Sequence, residues 1–136
     1  MVQERKIALL VDAENVSHHR IGQVMTAVKN NLGGLVTVKR IYADWTKPNL
    51  SAWKAVLQKH AFLPIQQYSF TSGKNSTDFA LVIDAMDLLY SNTFDGFCIV
   101  SSDSDFTRLA SRIRENGLTV YGFGEKKNAR IIPQSL

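Results

Sequence analysis

One pattern governs what this chain can fold into: an apolar run of strand length, then a stretch of helical period, repeated along the sequence. The runs KIALLV, VTVKRIY, PIQQYSF, FCIV and LTVYGF are rich in Val, Ile, Tyr and Phe, as strands are. After the first of them, Ile21, Val24, Met25, Val28 and Leu32 fall at i, i+3, i+4, i+7 and i+11, and Gly33 and Gly34 mark the stop. Trp53, Val56 and Leu57 repeat the spacing in a second helix. Phe79, Val82, Ile83 and Met86 flank it in a third, and Phe106, Leu109, Ala110 and Ile113 carry it in a fourth. Short apolar strands joined by amphipathic helices call for an α/β fold, a parallel sheet with helices on both faces.

The composition is compatible with that reading. The 136 residues are 45% hydrophobic, enough for one core, and show no repeat, low-complexity tract or linker, so a single domain over 1–136 is expected. Residues 125–136, after the last strand, form a poorly determined tail. No apolar run approaches the roughly 20 residues that span a bilayer. The opening MVQERKIALLVDAEN runs from a short apolar stretch straight into charge, so it reads as the first strand and not as a signal peptide. Cys98 is the only cysteine, which excludes an intrachain disulfide and a thiolate metal cage and points to a reducing, cytoplasmic setting. Sixteen Lys and Arg against twelve Asp and Glu give +4, a balance that favours an anionic partner.

In an open parallel sheet the ligand crevice lies beyond the carboxyl ends of the strands, where the strand order reverses. If the order is 3-2-1-4-5, that reversal falls between the first and fourth strands. The first strand ends LLVDAEN and delivers Asp12, Glu14 and Asn15. The fourth ends CIVSSDSDF and delivers Ser101, Ser102, Asp103 and Asp105. No GxGxxG and no GxxxxGK[ST] occurs, so the usual phosphate cradles are missing and carboxylates stand in their place.

The third helix adds a fourth acid. At 100° per residue, Leu81, Val82, Ala85, Leu88 and Leu89 fall within about 80° of Asp78, which places it on the apolar stripe. Asp84 and Asp87 come out roughly 120° and 180° away and read as ordinary solvent-facing acids. Four converging carboxylates repel, each close pair by about 1 to 4 kcal/mol, and need a cation. Oxygen ligands without Cys or clustered His suit Mg²⁺ or Mn²⁺. An ion so held can bind a phosphodiester oxygen, lower the pKa of a bound water and stabilise the departing oxygen.

Each acid also has an ordinary explanation. Asp103 and Asp105 precede a helix and suit caps, as Asn15 does before its own helix, and Asp12 suits a turn at a strand end. Asp78 could pair with Lys74 one turn earlier. His18, His19 and His60 lack a ligand partner and read as packing or solvated residues, and Tyr42, Trp45 and Trp53 suit either base stacking or core packing. Convergence of the acids is more specific than any one of them.

The motifs VDAEN, KNSTDFALVIDA and VSSDSDFTRLASRIRENG, followed by VYGFG, resemble the NYN domain, in the LabA-like branch of the PIN-like nucleases, from about Lys6 to Gly124. The resemblance implies a metal-dependent ribonuclease on a three-layer α/β/α fold with sheet order 3-2-1-4-5. It implies metal ligation and catalysis by Asp12, Asp78, Asp103 and Asp105, with Asn15, Lys74 and Ser101 binding substrate or phosphate. Two features depart from the pattern: Ser102 stands where a glycine is usual, and no serine-led helix is recognisable after Gly124.

The expected function is therefore hydrolysis of RNA by a Mg²⁺- or Mn²⁺-dependent nuclease, with RNA as partner, no membrane association, and a homodimer left open. With the four site acids set aside, sixteen basic residues face eight acids, a net of +8 around a negative cleft. Arg20, Lys39, Arg40, Lys47, Arg108, Lys126 and Lys127 are candidate phosphate contacts. One rival is a binding module for RNA or protein that has lost cleavage. The other is a haloacid-dehalogenase-type phosphatase, since Asp103, Asp105 and Thr107 spell DxDxT. That motif normally follows the first strand and here follows the fourth.

Overall fold

A computed structural model describes residues 5–31, 33–67, 76–103 and 106–124; for Asn31 and for Ser76, Thr77 and Asp78 it describes the helical backbone alone. The strands are β1 (Arg5–Asp12), β2 (Gly34–Ala43), β3 (Leu63–Gln66), β4 (Gly96–Val100) and β5 (Thr119–Phe123). The helices are α1 (Ile21–Asn31), α2 (Trp53–His60), α3 (Ser76–Tyr90) and α4 (Phe106–Glu115), with 3₁₀ turns at His18–Arg20 and Pro48–Leu50. The sheet runs β3-β2-β1-β4-β5, with every neighbouring pair parallel. This is the three-layer α/β/α architecture expected from the sequence.

β1 is central, and its side chains divide the core by the two-residue period of a strand. Ile7, Leu9, Val11 and Ala13 pack with Ile21, Val24 and Val28 of α1 and Trp53 of α2. Ala8 and Leu10 pack on the opposite face with Leu81, Ala85 and Leu89 of α3 and Leu109, Ala110 and Ile113 of α4. Each fully buried Leu or Ile contributes about 1.5 to 3 kcal/mol by leaving water. A strand buried on both faces cannot alternate polar and apolar residues, which is why KIALLV is continuous.

Three local readings change. Gly33, at φ 58°, is the residue that stops α1, whereas Gly34 already belongs to β2. A Cβ on Gly34 would meet the Arg5 carbonyl oxygen at 2.7 Å, so this glycine is set by the close approach of two strands. In α3 the inward row is Leu81, Ala85 and Leu89, while Phe79 and Ile83 are exposed. The third run was expected to extend to Phe70, but β3 ends at Gln66 and residues 68–75 lie outside the described part.

Candidate active site

β1 and β4 end side by side, with Val11 opposite Val100. Asp12 is the last residue of β1 and is completely buried. Its Oδ2 accepts hydrogen bonds from the Asn15 side-chain amide at 2.6 Å and from the Ser101 hydroxyl at 2.8 Å. Its Oδ1 accepts from the backbone N–H of Glu14 at 3.3 Å. Among the described residues these donors are all neutral. Burial raises the Asp12 carboxyl above the ordinary carboxylate range, against the lowering effect of the bonds from Asn15, Ser101 and Glu14.

Ser101 links the two strand ends. Its backbone N–H continues the ladder to the Phe123 carbonyl at 2.9 Å, which fixes the residue just beyond β4. Its hydroxyl donates to Asp12 and accepts from the backbone N–H of Asp103 at 3.0 Å. One hydroxyl thus sets both Asp12 and the turn that carries Asp103. The Asp103 carbonyl in turn accepts from Phe106 N–H at 3.2 Å as α4 begins. Ser102, the departure from glycine, ties the loops after β4 and β1 together: its hydroxyl and its N–H both donate to the Asn15 carbonyl.

The structure therefore brings together Asp12, Asn15, Ser101 and Asp103 of the expected set. Asp78 lies in the first turn of α3, one turn before the buried Leu81, and its side chain lies outside the described residues. Lys74 and Asp105 also lie outside them. Among the described residues no group of three or more His, Cys, Asp and Glu side chains is assembled to hold a metal. What is described is the Asp12 carboxylate and the backbone N–H of Asp103 meeting on one shared hydroxyl.

Two acids have roles that the sequence reading did not assign. Asp84 is not a free surface acid: its Oδ2 accepts from Arg40 at 3.0 Å and from the Tyr42 hydroxyl at 2.7 Å. Arg40 is thereby an ion-pair partner before it is a phosphate contact. Asp44, just past β2, is buried, and its Oδ1 accepts from Thr46 N–H and hydroxyl and from Gln66 Nε2 at 2.9 Å. It shapes the loop after β2. The signal for Asp44 was present, since β2 ends in an acid just beyond an apolar run as β1 does.

The sequence matches the NYN domain family over residues 6–135. The chain belongs to the NYN domain family. NYN domains are part of the PIN-like nuclease superfamily, which makes this one a nuclease-type domain. Its fold is similar to the crystal structure of a protein of unknown function from Vibrio parahaemolyticus. The two share 24% identity at a TM-score of 0.65, over 90% of this chain and 85% of that one. No curated protein matches the NYN domain described here.

Proposed function

We propose that this NYN domain, of the LabA-like branch, is a cytoplasmic ribonuclease that hydrolyses RNA phosphodiester bonds with Mg²⁺ or Mn²⁺. The observation that carries the reading is Asp12, a completely buried carboxylate at the reversal point of the sheet whose described partners are neutral. A buried carboxylate without a cation is costly, and burial pushes this one towards protonation. The donor set fits a hard divalent ion, because Asp12, Asp103, Asn15 and Ser101 offer oxygen and neither sulfur nor imidazole. When bound, such an ion lowers the pKa of a coordinated water and stabilises charge on the departing oxygen.

Within the proposal Asp12 and Asp103 hold the ion, with Asp78 and Asp105 completing the set. Asn15 and Ser101 hold the Asp12 carboxylate in one orientation, as partners of metal-binding carboxylates do. Lys74 contacts the nucleic-acid backbone. The net positive charge of the remaining chain favours a polyanion at this edge. Asp103 follows β4 and not β1, which separates the site from the phosphatase arrangement it resembles in its DxDxT spelling.

The test is cleavage of end-labelled single-stranded RNA by the purified chain with Mn²⁺, with Mg²⁺ and with EDTA. Cleavage is expected with either ion, none in EDTA, and none by Asp103→Asn with Mn²⁺. Equal cleavage by wild type and Asp103→Asn overturns the reading.

A further inference from the structure

A cleft of about 310 Å³ opens beside the loop after β1, on the α1/α2 face of the sheet. Its size is at the lower end of small-molecule sites. Leu50 and Trp53 line it as buried apolar residues, and Glu14, His18, Lys47 and Asn49 supply its polar groups. Its lining begins at Ala13, the residue next to Asp12, whose Oδ1 accepts from Glu14 N–H.

The polar groups are held in place. The Glu14 carboxylate accepts from Asp44 N–H at 3.0 Å through one oxygen and lies 3.8 Å from Lys47 Nζ through the other. This clamps the loop after β1 to the loop after β2. The His18 ring stands 4.0 Å from that of His19 and meets Trp53 edge-to-face at a centroid distance of 6.2 Å. Two rings, those of His18 and Trp53, thus line a cleft that also carries a carboxylate, an ammonium and an amide.

We propose that this cleft is a subsite for one unpaired nucleobase of the substrate strand, next to the phosphate at Asp12, with His18 against the base and Lys47, Asn49 and Glu14 at its polar edge. The inference rests on the nuclease reading. An aromatic ring beside a flat π-system accounts for base affinity, and donors and an acceptor together address a heterocycle edge. A bare phosphate would leave the His18 ring without a stacking partner. Trp53 is a positioning residue here, since it is buried and acts by holding His18.

The experiment measures binding of the full chain, in EDTA, to labelled 2′-O-methyl tetranucleotides that are intact or abasic at each position in turn. Removing the base at one position is expected to weaken binding about fivefold or more, the low end of what a stacked base contributes. His18→Ala, and separately the exposed Asn49→Ala, should bring that ratio towards unity; a merely structural role would weaken all the ligands together and keep the ratio. Equal affinity for intact and abasic strands, a ratio unchanged in both variants, or no binding at all would overturn the proposal. Mn²⁺-dependent cleavage of RNA, run in parallel, keeps the two readings apart. Cleavage without a base-sensitive position sinks the subsite alone, and a base-sensitive position without cleavage sinks the nuclease reading alone.

Discussion

Asp12 and Asp84 both meet the same residue, Tyr42, yet stand in opposite circumstances. Asp12 pairs with Tyr42 in the β1/β2 register, and Asp84 on α3 accepts from its hydroxyl. The Asp84 charge is answered by the Arg40 guanidinium at 3.0 Å, and both side chains keep about a quarter of their surface in water. Asp12 has no surface in water, and its described partners are neutral. A matched, part-exposed pair lets the fold keep its acid. An unmatched buried acid costs stability and marks where a ligand cation would be gained. The α3/β2 interface is therefore read as structure and the β1/β4 edge as function.

The sharpest break between the two regions is in activity. Asp12→Asn keeps the shape of the side chain and withdraws its charge, so cleavage should fall by more than about 100-fold, beyond what the loss of a supporting contact costs. Asp84→Asn should cleave RNA like the wild type. Comparable loss in both variants would dissolve the distinction. Ser101→Ala is expected next, with a drop in Mn²⁺ affinity of about 10- to 100-fold, because the hydroxyl that orients both Asp12 and the Asp103 turn is gone. A titration of wild type and variant checks it, and unchanged affinity would mean that the hydroxyl only caps the turn.

Stability should separate the acids by sign. Asp84→Ala strands Arg40 and the buried Tyr42 hydroxyl and should lower the melting midpoint by a few degrees, about 1 to 2 kcal/mol for two lost partners at a part-exposed pair. Asp12→Asn should melt above wild type in EDTA. The folded Asp12 carboxyl titrates above its ordinary value of 3.8, so the stability it gives is full below that value and lost as pH rises through the raised one. The gap between Asp12→Asn and wild type should therefore close on acidification. A gap that widens at low pH would contradict the assignment of Asp12 as uncompensated.

Much of this was legible in the sequence because it depends on period and order. Continuous apolar runs gave β1 and β4 as buried parallel strands, and the acids at their ends gave Asp12 and Asp103 as neighbours once the order reversed between them. Asp84 was not legible. A helical wheel measures its angle from Asp78 but cannot see that Arg40 and Tyr42, 44 and 42 residues away on a strand, reach up to it. His18 was expected as a packing or solvated residue, but the ring it meets, Trp53, was not legible, because it lies in another element. The stop after α1 was read at Gly33 and Gly34 together, since the two look alike in sequence; Gly33 ends the helix and Gly34 already belongs to β2. Ser102 read as a departure from pattern, and its hydroxyl turns out to join two loops.

The smallest expected effect is at His60, at the end of α2. Burial first, then Lys59 and Lys39, lower its pKa below the ordinary 6.5. The stability tied to this shift is present above that value and lost as pH falls through the lowered one. His60→Gln should flatten that slight dependence between pH 7 and 5 without altering RNA cleavage. Melts of the two proteins at both pH values check it.

The most direct test of the β1/β4 edge as a metal-holding site is a Mn²⁺ titration followed by the electron paramagnetic resonance signal of the free ion, with wild type, Asp12→Asn and Asp84→Asn side by side. Wild type and Asp84→Asn should take up Mn²⁺ alike, and Asp12→Asn should bind it at least about tenfold more weakly. Equal uptake by all three proteins would contradict the assignment of Asp12 as the carboxylate around which the site is built.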